Sequence, residues 1–250
     1  MKSVSPLRIV SLVPSQTELL YSLGLEDEVV GITKFCIHPN VWFKSKTRVG
    51  GTKTLNLELI KQLNPTLIIA NKEENTQEQI DALRDVCTVY VSDIVSFQDA
   101  LDMIDMVGQL TRRVEMAREI IEQLQYLSEQ LRTPNELRRV LYLIWEKPIM
   151  AAGKQTFIDA MLTLAGWENA LVESRYPELN ETQITQLNPD LIFLSSEPFP
   201  FKSKHLKHYQ SLVPQAKVEL IDGEMFSWYG SRLLHSFQYI KQLHEKLAHS

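Results

Sequence analysis

The sequence predicts an α/β protein of two lobes, each with a mostly parallel sheet flanked by helices, joined by one long backbone helix. Three observations carry that prediction. Short β-branched runs alternate with helix-period segments at both ends of the chain, the pattern of strands linked by crossover helices. A proline-free stretch from about Ser96 to Arg132 keeps apolar residues at i, i+3 and i+4 for about ten turns, roughly 50 Å of helix. Finally, LNLELIKQLNPTLIIANKEE (55–74) aligns without a gap on LNETQITQLNPDLIFLSSEP (179–198). The shared Gln-Leu-Asn-Pro enters an apolar strand each time, the mark of internal repetition.

In chain order, RIVSLV (8–13) is a strand that stops at Pro14. SQTELLYSLGL follows as a helix, with Ser15 as a cap, Glu18 three residues on and Gly24 to end it. VVGIT (29–33) is a second strand, LELIKQL (57–63) a helix, TLIIA (66–70) a strand, then a helix from about Thr76 to Val86 and a strand at TVYVS. The long stretch lacks a sustained a/d heptad and carries Gly108, which favours a helix packed on globular lobes over a coiled-coil arm, with a break near Gly108 allowed. After Pro134 the pattern restarts with RRVLYLIW, QTFIDAMLTLAG, the second Gln-Leu-Asn-Pro copy, AKVELID and a closing amphipathic helix. QTFIDAMLTLAG echoes QTELLYSLG (16–24). The expected division is therefore 1–95, a linking helix 96–133, and 134–250.

The totals narrow the function classes. A chain of 250 residues with 44% hydrophobic and 23% charged residues buries a real core in two lobes. A net charge of −5 argues against a basic nucleic-acid surface. Two cysteines, Cys36 and Cys87, are too few for a disulfide framework or a four-thiolate zinc site. No apolar stretch reaches the ~18 residues of a membrane span. MKSVSPLRIVSLVPS shows no signal-peptide pattern, so the expectation is a cytoplasmic protein as written, periplasmic or surface-anchored if trimmed.

Two α/β lobes place a ligand cleft at the ends of their sheets. NKEENTQ (71–77) sets Glu73 and Glu74 at a strand end, where they either serve the next helix dipole or face a ligand. SSEPFPF (195–201) presents Ser196 and Glu197 at the matching place. DGEMFSWYGSRLLH (222–235) concentrates Met225, Phe226, Trp228 and Tyr229 before Arg232. These large side chains either pack into the core or line a pocket, and the pocket reading is preferred: aromatics with one Arg suit a flat ligand bearing an acidic group. Trp145, Tyr176 and Phe199 are further candidates in the second lobe. Cys36 and His38 are weak metal-ligand candidates, two ligands being too few for a site. VGGTKTLNLE (49–58) has a Gly pair and Lys53 before a helix but matches no phosphate-loop pattern, so a tight turn is the simpler reading. No GxSxG, HExxH or Gly-rich phosphate loop is present, which argues against an enzyme.

The strand followed by Val13-Pro14-Ser15-Gln16-Thr17-Glu18 resembles the opening of the helical-backbone (class III) substrate-binding proteins of ABC importers. LNLELIKQLNPTLIIA resembles the family's Asn-Leu-Glu helix and Pro-Asp strand, with Thr66 in place of Asp. The similarity spans most of the chain and is greatest to the cobalamin-binding branch. It implies two lobes on a long helix, a cleft ligand bound with little hinge motion, and delivery to a membrane permease. Cleft positions of that branch fall on Phe35, Thr52, Asn71 and Tyr176, of which Phe35 and Tyr176 keep a ring, and Arg232 matches a basic residue. Permease docking by one Glu per lobe falls on Glu58 and, because its equivalent is Thr182, on the adjacent Glu181. The resemblance thus implies no built-in cofactor and a corrinoid (cobalamin-like) or related metal-chelate as ligand. The alternatives are a ferric siderophore, haem or small metabolite held by an intracellular carrier, and a metal-dependent enzyme using Glu73, Glu74 and Glu224.

Overall fold

The structure, a computed structural model, describes residues 6–131 and 137–248. It divides into two compact units. The first takes the chain to Asp93, then Asp99–Glu122 and Trp228–Arg232; the second takes Ile94–Gln98, Gln123–Ser227 and the residues from Leu233 onward. The boundary expected at 95/96 falls inside the Ile94–Gln98 segment. The one expected at 133/134 lies outside the described residues, and residues 228–232 group with the first unit rather than with the segment around them.

In the first unit, β1 (Ile9–Ser11), α1 (Pro14–Ser22), β2 (Val29–Ile32), α2 (Asn40–Ser45) and β3 (Thr47–Arg48) lead to a small hairpin of β4 (Gly50–Gly51) and β5 (Thr54–Leu55). Then come α3 (Leu57–Gln62), β6 (Leu67–Asn71), α4 (Gln77–Arg84) and β7 (Thr88–Ser92). The sheet order is β3-β2-β1-β6-β7, parallel throughout. Every residue of β1 and β6 is buried, as strands covered on both faces require. Val10, Leu12, Ile60, Ile68 and Leu83 form part of one core. The α1 helix begins at Pro14 with Val13 as its cap, so Ser15 is not the cap expected from the sequence. Pro14 pre-sets the first turn, and Ser15, Gln16 and Thr17 are buried inside it.

The single long helix is replaced by two, α5 (Phe97–Thr111) and α6 (Val114–Glu129). The break falls at Arg112, whose φ is 59°, beyond Gly108. A Cβ on Gly108 would stand 2.5 Å from the Ala117 Cβ, so that glycine permits close approach of the two helices.

In the second unit, β8 (Arg138–Glu146), β9 (Ile149–Ala151), α7 (Phe157–Leu164), β10 (Trp167–Asn169), β11 (Glu178–Leu179), α8 (Glu181–Leu187) and β12 (Leu191–Ser195) are followed by α9 (Ser203–Leu212), β13 (Lys217–Ile221), α10 (Glu224–Ser227) and α11 (Leu233–Ala248). Parallel neighbours run β10-β8-β12-β13, the same order as β2-β1-β6-β7, with β9 and β11 added antiparallel. Leu141, Leu143, Ile192, Leu194 and Tyr209 anchor one face of this sheet.

The sequence repeat is a repeat of structure. Asn56 and Asn180 cap α3 and α8 by accepting from Leu59 N and Gln183 N. Asn64 and Asn188 end those helices in the left-handed region, both at φ 46°. The arginine that opens each central strand then caps the helix end: Arg8 Nε donates to Leu63 O at 2.9 Å, and Arg139 Nη1 donates to Leu187 O at 2.9 Å. Their backbone N–H groups donate to Thr66 Oγ1 and Asp190 Oδ2, the residues that follow each proline.

Candidate functional site

In the first sheet, β2 lies on one side of β1 and β6 on the other, so the winding direction reverses between β1 and β6. Ligands of open parallel sheets sit beyond the carboxyl ends of strands at such a point. Here those ends are lined by neutral polar groups. Thr17 Oγ1 lies 2.7 Å from Ser11 Oγ and 3.0 Å from Cys36 Sγ, and Thr33 Oγ1 lies 3.1 Å from the same sulfur. Burial pushes the Cys36 thiol up, against the pull of those two hydroxyls. Gln16 Nε2 donates to Ser92 Oγ, and Asn71 Nδ2 donates to Ser92 O at 3.0 Å.

Asn71 is buried and acts as a turn organiser. Its Oδ1 accepts from Glu73 N and Glu74 N, while its own N–H donates to Asn75 Oδ1. Asn75 Nδ2 in turn donates to Thr52 O at 2.9 Å, which ties the β4–β5 hairpin to this turn. The Gly50–Gly51 pair therefore belongs to a hairpin, and Thr52 is buried at its tip. Phe35 is half exposed beside it, with Lys34 Nζ 5.1 Å from its ring. Glu73 and Glu74 are both half-buried. Burial raises the Glu74 carboxyl above the usual range, with Lys53 opposing, and the Glu74 charge is felt at Cys36 and Tyr229.

The Trp228–Arg232 segment completes this unit. Arg232 Nε donates to Glu18 Oε2 at 2.8 Å, and its guanidinium lies 5.1 Å from the Trp228 ring. The other face of the story is His38, whose ring stands 5.6 Å from Trp228. Burial and the Glu74 charge push the Tyr229 hydroxyl up, while hydrogen bonding to Ser15, Ser92 and Gln16 pulls it down. Two readings of the sequence change. Glu18 is the partner of Arg232, not of a capping residue, and the Arg232 Nε–H is spent on that carboxylate instead of awaiting an acidic ligand.

The second unit answers with different chemistry. Ser195, at the end of β12 where Asn71 ends β6, donates to Glu197 O and accepts from Glu197 N at 3.3 Å. Tyr142 Oη donates to Ser195 Oγ at 3.4 Å, and burial raises that phenol. Ser227 Oγ donates to Glu197 Oε1 at 2.7 Å, and Gly223 N donates to the exposed Ser196 Oγ at 2.9 Å. Phe226 is not a pocket wall: it is fully buried among Tyr142, Trp167, Phe193 and Tyr239. Tyr176 is half-buried under Arg175, and Trp145, 38% exposed, meets Phe199 edge-on at 5.7 Å.

The remaining candidates fall elsewhere. Glu58, exposed in the first turn of α3, pairs with Lys61 at 2.9 Å, and exposed Glu181 of α8 lies 3.3 Å from His208 Nε2. Both cysteines are free. Cys36 faces two threonines and His38 faces Trp228, and among the described residues no group of three metal-ligating side chains forms. A cavity of about 460 Å³ opens at the opposite, amino ends of the first sheet, beside Leu7, Thr66, Thr88 and Arg113. Two of its polar groups are already engaged, Arg113 with Glu28 and Thr66 with Arg8. Sequence reading passed over Ser11, Gln16, Thr17, Thr33, Asn75 and Ser92. Their only signal was three polar residues, Ser15-Gln16-Thr17, directly after a buried strand.

A family model described as periplasmic binding protein matches residues 9–214. The vitamin B12-binding protein of Vibrio cholerae serotype O1 is 28% identical over 194 residues, 75% of this chain and 70% of that protein. The crystal structure of the periplasmic vitamin B12 binding protein BtuF of Vibrio cholerae superposes with a TM-score of 0.79 at 25% identity, over 94% of this chain and 96% of that one. An uncharacterized ABC transporter substrate-binding lipoprotein of Bacillus subtilis strain 168, YvrC, is 30% identical over 200 residues, 75% of this chain and 63% of that protein. The periplasmic heme binding protein HutB of Vibrio cholerae gives a TM-score of 0.81 at 25% identity, covering 96% and 99%. These relatives are periplasmic or lipoprotein binders, which leaves the cytoplasmic expectation without support, and they are solute-binding proteins, not enzymes. No helix among the described residues is long and apolar enough to cross a membrane. The chain belongs to the periplasmic binding protein family, as a ligand-binding protein of the kind that serves ABC importers.

Proposed function

We propose that this protein binds a corrinoid of the cobalamin type, or a related metal-chelate, and delivers it to an ABC permease from outside the membrane. The observation that carries the reading is the likeness to the Vibrio cholerae vitamin B12-binding protein along three quarters of the chain. The polar strand ends of the first unit support it, since a corrinoid presents an edge of amides that calls for hydrogen-bonding partners. Docking on the permease falls to Glu58 and Glu181, both exposed in the first turns of equivalent helices.

Haem or a ferric siderophore is the second reading, favoured by the fold match to HutB. Incubation of the purified protein with cyanocobalamin, followed by gel filtration read at visible wavelengths, tests the first. Co-elution of the chromophore is the expected result. Co-elution of hemin and none of cyanocobalamin would transfer the assignment to the second.

A further inference from the structure

The turn after β6 carries two charged groups that its counterpart after β12 lacks: Lys72, which pairs with Asp93, and Glu74. Asn71 holds Glu73 and Glu74 by their backbone N–H groups, and Ser195 holds Glu197, the equivalent of Glu73, in the same way. The position equivalent to Glu74 is Pro198. Glu197 is spent on Ser227. Glu74 has no such neighbour: among the described residues its carboxylate takes part in no hydrogen bond and no ion pair within 4 Å. It lies half-buried at the end of a central strand, where its charge reaches Lys53, Cys36 and Tyr229. Arg232, a second buried charge in this unit, is neutralised by Glu18. A half-buried carboxyl whose acceptor oxygens have no protein donor is an opening for a donor supplied by the ligand.

We propose that Glu74 is the specificity-determining carboxyl of the first unit, selecting ligands whose facing edge carries hydrogen-bond donors or positive charge and rejecting edges that carry carboxylates. This rests on the reading of these strand ends as a ligand site. A ligand amide or cation gains a charge-assisted bond to Glu74, whereas a ligand carboxylate meets like charge at low dielectric. Lys53, exposed on the β4–β5 loop, tempers the effect without removing it.

The test uses the full chain and two pairs of probes. One pair is cyanocobalamin and its derivative with one peripheral amide hydrolysed to the acid. The other is a cationic tetra-(N-methylpyridyl) porphyrin and an anionic tetra-(sulfonatophenyl) porphyrin. Affinities are measured by fluorescence titration for the wild type, Glu74→Gln and Lys53→Met, with thermal melts to verify folding. The wild type should favour the amide over the acid, or the cationic over the anionic porphyrin, by about tenfold or more, a single charge-assisted contact. Glu74→Gln should bring that ratio toward one, and Lys53→Met should widen it. A ratio unchanged in folded Glu74→Gln overturns the proposal, as does a preference for the anionic member. Failure of all four probes to bind at about 100 μM, a weak limit, overturns it too. Failure of both corrinoids alone, with the porphyrin ratio still dependent on Glu74, discards the corrinoid reading and keeps this one.

Discussion

The two units share a frame and differ at its open end. Strand order and asparagine caps are duplicated, and so, at the amino ends of the strands, are the left-handed helix ends and strand-opening arginines. At the carboxyl ends the first unit gathers hydroxyls, amides and Glu74, whereas the second gathers Tyr142, Ser195 and a Glu197–Ser227 pair over an aromatic core. The comparison teaches that the framework and the proposed binding edge are independent parts of one design. What holds a helix end to a strand start has been kept in both copies, and what a ligand would meet has diverged.

The sharpest way to break that division lies between Phe226 and Trp228, neighbours in sequence that group with different units. Phe226→Ala should cost about 3–5 kcal/mol in urea unfolding, as a fully buried ring, with little change in ligand affinity of the folded fraction. Trp228→Ala should act chiefly on ligand affinity. A reversal of those two effects would undo the assignment.

Next in size is the Arg232–Glu18 pair. Loss of either partner alone should cost about 3 kcal/mol by stranding a buried charge, and loss of both together should cost less than either. Additive losses in a double-mutant cycle would deny the coupling. The duplicated arginines come third: Arg8→Ala and Arg139→Ala should each lose about 1–2 kcal/mol, since each leaves helix-end carbonyls without a donor. Clearly unequal losses would show that the device is only superficially shared. Asn64→Ala and Asn188→Ala should each cost about 1 kcal/mol, the strain of a left-handed backbone on a residue less tolerant of it.

The smallest effect is a pH dependence confined to the first unit. Burial holds the Glu74 carboxyl above its unfolded value, so the folded state binds that proton more tightly. The stability this supplies is full below the ordinary carboxylate range and is lost as pH rises through the raised folded value. Glu74→Gln, which cannot ionise, should therefore melt with the wild type in acid and above it at neutral pH. Equal melting temperatures at neutral pH would mean that Lys53 offsets the burial cost in full.

Much of the frame was legible because it is written in local signals. The Gln-Leu-Asn-Pro copies announced the repeat, and the asparagines common to both copies, Asn56 with Asn180 and Asn64 with Asn188, proved to be caps or left-handed ends. Strand and helix alternation gave the layers. The linking helix was read as one because Thr-Arg-Arg-Val contains no breaker, and the left-handed Arg112 that ends its first half leaves no local signal. The binding edge was far less legible. Ser15, Gln16 and Thr17 look like cap residues, and only tertiary contact reveals them as buried neighbours of Ser92, Tyr229 and Ser11. Aromatic residues in a run such as Met225 to Tyr229 carry no period that could have sorted Phe226 from Trp228. Arg232 was read as a ligand group because its partner, Glu18, is remote in sequence.

That remoteness governs the order in which the protein becomes competent. Glu18 and Arg232 are 214 residues apart, an interval of roughly 10–40 s at the usual rate of synthesis. A nascent chain ending at Ser227 already holds every strand of the first sheet yet lacks the segment from Trp228 to Arg232. The first unit to emerge is thus completed late, by a segment that arrives just ahead of the closing helix of the second unit. A product cut short before Trp228, whether by an early stop or by a protease, lacks both that segment and the closing helix of the second unit.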